Sequence, residues 1–156
     1  MSGEELMRMA IRAALDGIRE GQSPFGCAIA LGGELLACCH NTVLREGDIT
    51  AHAEINALRQ ACRVHGHYLL EGAEVATTCE PCPMCMGALH WARVGRVYYG
   101  ASIADAAQAG FNELRVAARD LVHLGGSRVA LIENVLRQEC IELFRAWEKS
   151  SARQVY

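Results

Sequence analysis

Two short segments of this chain hold the residue types of a metal-assisted hydrolysis: His52-Ala53-Glu54 and Pro81-Cys82-Pro83-Met84-Cys85. Cys82 and Cys85 are three positions apart, so a helix places both thiolates on one face, where they share one ion. Two thiolates and an imidazole suit Zn2+ in a tetrahedral site. A helix N-terminus lowers thiol pKa values, which helps both cysteines bind as thiolates. Three protein ligands leave the fourth position open to water, the mark of a catalytic zinc rather than a structural one. The ion lowers the pKa of a water in that position to about 7. Glu54 is not needed as a ligand. It reads as a proton shuttle that takes the water proton, delivers it to a ring nitrogen and later protonates the departing amine.

A Cys-x-x-Cys pair alone also fits a redox pair or half of a structural zinc site. The added His-x-Glu and the two prolines outweigh those readings. H-x-E followed by P-C-x-x-C, with a non-ligand Glu, is the signature of zinc deaminases that act on nucleobases. The gap between the halves (82−52=30) leaves room for a helix and a strand. Cys27, Cys38, Cys39, Cys62 and Cys140 read as core thiols, and Cys79 as structural although it lies three before Cys82. His65 and His67 read as solvated, and His123 has no recognisable partner.

Periodicity supplies the elements that must position these groups. Leu6, Met9, Ala10, Ala13, Ala14 and Ile18 predict a first helix that stops near Gly21. Ser23 to Gly26 reads as a turn, 27–31 as a buried strand, Gly32-Gly33 as a hairpin turn into 34–39, and 41–49 as a loop. Thr50 reads as the cap of a helix over 52–64, with Ile55, Leu58 and Cys62 inward. A strand at 75–78 leads to a helix that opens at Pro81 to Pro83, where proline is tolerated. Strands at 96–101 and 128–132, a last helix over 136–149 and a tail, 150–156, complete the chain. Strands alternating with helices predict an α/β fold, a sheet sandwiched by helices.

Composition bounds the remaining classes. A length of 156 residues and 17.0 kDa fits one domain, 1–156, without linker or repeat. With 51% hydrophobic and 21% charged residues, the balance is globular. A net charge of −3 and the absence of any like-charge run speak against nucleic acid as a partner. Arg137, Arg145, Lys149 and Arg153 are interleaved with Glu139, Glu142 and Glu148, the pattern of a solvated helix face. No signal-peptide core or bilayer-length apolar run is present, so no membrane association and a cytoplasmic location are expected. In that compartment the eight cysteines stay reduced.

Beyond its zinc motif, the chain resembles the cytidine deaminase-like superfamily and, within it, the bacterial guanine deaminases. The resemblance runs from Ser23-Pro24-Phe25-Gly26 through both zinc segments into Trp91-Ala92-Arg93 and Asp105 to Phe111. Asp105 to Phe111 and the terminal Tyr156 resemble guanine deaminases more than other members. It implies a three-layer α-β-α sandwich with a mixed central sheet, zinc on His52, Cys82 and Cys85, and Glu54 as shuttle. It assigns substrate contacts to Asn41, Phe25, Ala53, Trp91, Glu113 and Tyr156. Asn41 pairs with a ring edge, and the aromatic residues stack on a base, worth about 1–3 kcal/mol. It also implies a homodimer in which the tail, 150–156, crosses to the partner's site. The leading reaction is guanine to xanthine plus ammonia. One departure stands out: after Gly-Phe the family carries two aspartates, and here Asn112-Glu113 follows. The extra methylene of Glu113 narrows the space for a two-ring purine, which keeps a one-ring base (cytosine, or an amino-triazine such as ammeline) as an alternative. A tRNA adenosine deaminase shares the zinc motif and is a second alternative, and a retired zinc scaffold, which need not keep Glu54, is a third.

Overall fold

Alternation along the strands divides the apolar side chains between the two faces of one sheet. The computed structural model describes residues 1–150 and 153–156. Its strands are β1 (Gly26–Leu31), β2 (Glu34–His40), β3 (Glu74–Cys79), β4 (Arg96–Ala101) and β5 (Ala130–Ile132). They lie in the order β2-β1-β3-β4-β5. β1 is antiparallel to β2 and β3, whereas β3, β4 and β5 are parallel. Cys27, Ile29, Val75 and Val97 enter a core with α3 (Ala53–His65), α4 (Pro83–Trp91) and α6 (Ala118–Gly125). Ala28, Ala30 and Ala76 enter the other, with α1 (Gly3–Arg19) and α7 (Arg137–Glu148). The mixed sheet between two helical layers is the sandwich expected from the sequence. No helix among the described residues is long and apolar enough to cross a membrane.

The packing is tight where β1 meets α1. A Cβ on Gly26 would sit 2.0 Å from the Ala10 carbonyl oxygen and 2.8 Å from the Ala14 nitrogen. Both are backbone atoms of a helix and cannot rotate aside. Gly26→Ala is therefore expected to cost about 3 kcal/mol by overpacking, seen as a melting temperature lower by on the order of 10 °C. An unchanged melting temperature would show that α1 slides freely over β1.

Several local expectations are corrected. Part of the loop predicted over 41–49 forms α2 (Val43–Glu46). Thr50 does not cap α3: its hydroxyl donates to Asp48, and His52 itself is the N-cap. Ile55 is only partly buried, and the inward positions of α3 are Ala53, Glu54, Ala57, Leu58 and Ala61. Two helices were not predicted, α5 (Ile103–Gln108) and α6. The first is a six-residue helix closed by a Ser102–Asp105 capping box. Asp105 also pairs with Arg137 at 2.7 and 3.1 Å, a bidentate bridge from α5 to α7. Cys27, Cys79 and Cys140 are buried, while Cys38, Cys39 and Cys62 are half-buried.

Candidate active site

Two helix N-termini meet at the carboxyl end of β3. His52 is the N-cap of α3 and Cys82 the N-cap of α4, both with extended backbone. Pro83 occupies the first turn of α4, where its missing N–H costs nothing. Cys85 follows one turn along and is buried. The ligand atoms of His52, Cys82 and Cys85 lie within 4.8 Å of one another. His52 Nδ1 is 3.6 Å from Cys82 Sγ and 3.5 Å from Cys85 Sγ. Tetrahedral zinc with ordinary Zn–S and Zn–N bonds requires N···S separations of about 3.5–3.6 Å. The donor set therefore fits zinc, through Nδ1 of the imidazole.

The three donors are close enough to share protons, and Cys82 is the one held as a thiolate. Donation by the Cys85 S–H pulls the Cys82 thiol down to about 4, against the opposing effect of burial. Cys85 is held upward by that same contact and by burial. Burial presses His52 downward, but the Cys82 contact and the charges of Glu54, Cys82 and Glu113 carry it upward overall. Cys79 is outside the ligand group and donates its S–H to the Ser102 carbonyl at 3.4 Å. Burial raises its thiol well above the ordinary range, so it does not compete as a thiolate.

Glu54, only 6% exposed, opens α3 beside His52. Burial raises its carboxyl, with Cys82 adding to the effect. Thr77 on β3 donates to Glu54 Oε1 at 3.2 Å and fixes the carboxyl in place. The cavity beside these groups is about 330 Å³ and is lined in part by Phe25, Asn41, Glu54, Phe111, Glu113 and Tyr156. Such a volume lies at the small end of ligand pockets, about 300–1,000 Å³.

Asn41 is 1% exposed, and its Oδ1 accepts the Val43 N–H at 3.0 Å. A backbone N–H can only donate, so this bond fixes which amide atom is oxygen and leaves Nδ2 to donate. Nδ2 is 2.6 Å from the Tyr156 hydroxyl. Phe25 packs edge-on to Phe111 at 4.9 Å, and Tyr156 edge-on to Phe111 at 5.5 Å. Burial lifts the Glu113 carboxyl to about 7, with Cys82 and Glu54 adding and His52 opposing.

The fold thus brings together His52, Glu54, Cys82, Cys85, Asn41, Phe25, Glu113 and Tyr156. It does not bring two expected substrate contacts to the cavity. Ala53 is packed into the core on the α3 side, and Trp91 is 80% exposed at the far end of α4. Tyr156, expected at a partner's pocket, lines the pocket of its own chain, its carbonyl accepting the Asn112 N–H at 3.0 Å. Residues 151 and 152, part of the predicted crossing tail, lie outside the described residues. Thr77, Asn56 and Glu80 were missed. Asn56 Nδ2 donates to the His40 carbonyl at 3.0 Å, Thr42 Oγ1 at 2.8 Å and the Ala51 carbonyl at 3.3 Å, which pins the loop carrying Asn41. Each acts through partners distant in sequence, and no local pattern marks them.

A His/Cys/Cys donor set with a buried carboxylate at paired helix N-termini defines a zinc-dependent deaminase centre. Residues 1–101 match the cytidine and deoxycytidylate deaminase zinc-binding region, and the chain belongs to that family of zinc-dependent aminohydrolases. It is similar to a guanine deaminase of Bacillus subtilis (strain 168), 36% identical over 157 residues and 100% of both chains. It also resembles the solved structure of a guanine deaminase from Nitrosomonas europaea (TM-score 0.85, 25% identity, 94% of this chain and 84% of that one). A tRNA-specific adenosine deaminase of Bacillus subtilis (strain 168) is 40% identical over 102 residues, 65% of this chain and 63% of its own.

Proposed function

We propose that this chain converts guanine and water into xanthine and ammonia. The observation that carries the reading is the placement of Glu54, the His52/Cys82/Cys85 donor set and the Asn41–Glu113 pair around one small cavity. The likeness to a guanine deaminase extends over the whole chain, while that to a tRNA deaminase covers 65% of it. His52, Cys82 and Cys85 hold the zinc, which when bound supplies the Lewis acidity that makes water a nucleophile at neutral pH.

The protein's own groups do the rest. Asn41 Nδ2 and the Glu113 carboxyl offer a donor and an acceptor to the donors and acceptors on a guanine edge. Phe25 and Phe111 supply an apolar wall against the base. Thr77 holds Glu54 where its carboxylate accepts the water proton and passes it to the ring nitrogen beside the attacked carbon. Oxygen thereby bonds to the carbon that carries the amine. Glu54 then takes the proton of the new hydroxyl group and delivers it to that amine; the C=O bond forms as the C–N bond breaks, and ammonia leaves. Tyr156 covers the pocket, and exchange of the tail between two copies would put the same ring over the same cavity.

The test is ammonia release from zinc-loaded protein against guanine, guanosine, cytosine, adenine, adenosine and ammeline. Turnover of guanine as the best substrate is the expected result. Turnover of one-ring bases alone would overturn it and identify Glu113 as the group that narrowed the site. Retention of tRNA at moderate salt would instead favour the RNA-acting reading.

The molecule is further read as a homodimer that joins copies through the α3–α4 face. Val64, Tyr68 and Trp91 there are 61%, 72% and 80% exposed, and Ile55, Leu58 and Leu69 line an adjoining groove. Tyr68 and Trp91 line that groove as well, and large exposed apolar side chains gathered in one groove mark an interaction site. Trp91→Glu is expected to shift the mass by light scattering from dimer to monomer. A dimer that survives the change would place the interface elsewhere. The cytoplasm is the compartment proposed, where the eight cysteines, none of them in a disulfide, stay reduced.

A further inference from the structure

Glu80 lies on the turn between β3 and α4, two residues before Cys82, and its own amide is fixed by the Ala101 carbonyl at 2.8 Å. Its carboxylate accepts two backbone amides from far along the chain. Oε2 takes the N–H of Ile103 at 3.0 Å, and Oε1 takes the N–H of Ala118 at 2.9 Å. These are the first residues of α5 and α6. Helix α6 has Ala117 as its N-cap and no capping side chain of its own, so Glu80 supplies that acceptor from 38 residues away. Residues 109–117, which join α5 to α6, bring Phe111, Asn112, Glu113 and Leu114 to the cavity.

We propose that Glu80 is a positioning residue for substrate selection: its carboxylate ties the segment bearing Glu113 to the metal-binding turn. The inference rests on the reading that Glu113 meets the substrate. One carboxylate spans both ends of the stretch 103–118, so it sets how far Glu113 stands from Cys82 and Glu54. A glutamine has one acceptor oxygen, and its NH2 would face the second amide donor-to-donor. Glu80→Gln therefore releases one anchor while keeping the shape of the side chain. The loop then shifts, and misplacement of a positioning group by about 1 Å costs on the order of 100-fold in rate.

The experiment compares zinc-loaded wild type, Glu80→Gln, Glu113→Gln and the double variant. Guanine is the substrate, with zinc content and amide hydrogen exchange read alongside. Glu80→Gln is expected to keep its zinc and to lose about 10- to 100-fold in kcat/KM, mostly through KM. In the Glu113→Gln background the same change should cost far less, because the two residues act in series. Exchange should quicken at Ile103 or Ala118 and through 112–117. Adding Ala117→Ser, which restores a local cap to α6, should recover melting temperature without recovering KM. Loss of zinc, equal losses in both backgrounds, or recovery of KM by the new cap would each overturn the proposal. If wild type does not use guanine, the functional reading falls by itself. Exchange then decides the anchoring role of Glu80, and unchanged protection at both amides would end it.

Discussion

A Glu54→Gln protein that still carries its zinc is expected to lose ammonia release by about 10²–10⁴-fold, the range that a positioned proton carrier contributes. The amide keeps the size of the side chain and can still meet the Thr77 hydroxyl, but it cannot take a proton from water. Binding of the base should change much less, so the loss appears in kcat. Burial raises the Glu54 carboxyl above its ordinary 4.5. The ionised form is the one that accepts the first proton, so turnover of the intact enzyme falls as pH drops through that raised value. The acid limb therefore sits above the usual carboxylate range, and residual activity of the variant should lack it. Turnover near the wild-type level would remove Glu54 from the chemistry and leave only a structural role for it.

The second large effect concerns the metal. Chelation of zinc is expected to abolish deamination and to restore it when Zn2+ is returned. Because the ion binds the folded site, its loss should also cost about 3–4 kcal/mol at concentrations 100 to 1,000 times the dissociation constant. For a domain of this size that is a melting temperature lower by on the order of 10 °C. Cys85→Ala should mimic both effects without a chelator, since it removes a buried donor 3.5 Å from His52 Nδ1. A chelated protein that remains fully active, with metal loss verified, would show that the donor set is structural or bypassed. The two experiments separate cleanly: Glu54→Gln spares stability and metal, whereas Cys85→Ala loses both.

Function of the Asp105 to Phe111 stretch shows how a sequence resemblance and a physical role differ. The stretch resembles a feature of guanine deaminases, yet its acid works as a helix cap and as the partner of Arg137. Phe111 is the member that reaches the cavity, packed between Phe25 and Trp147. The Ser102–Asp105 spacing was a readable capping signal, but a six-residue helix gives too little periodicity to be recognised without it. In the same way α6 escaped notice because its N-terminus is capped from Glu80 and not by a neighbour.

By themselves, the residue types and spacings determined the metal chemistry and the class of fold. All four of His52, Glu54, Cys82 and Cys85 sit at helix starts, where residue type and spacing are readable; a three-residue spacing brings Cys82 and Cys85 onto one face, and the meeting of the two helix N-termini joins His52 and Glu54 to them. Strands alternating with helices along the chain sufficed for a sheet covered on both faces. Tertiary structure alone decided which groups surround the substrate. Asn41, Glu113 and Tyr156 come from three loops whose positions depend on hydrogen bonds over long sequence separations, from Asn56, Glu80 and Asn112. It also left Trp91 outside the cavity of its own chain. The ligand residues are written in two short motifs, so their types and spacing are readable before the motifs meet. Substrate contacts form where distant segments close on one another, and only packing of the whole chain sets that closure.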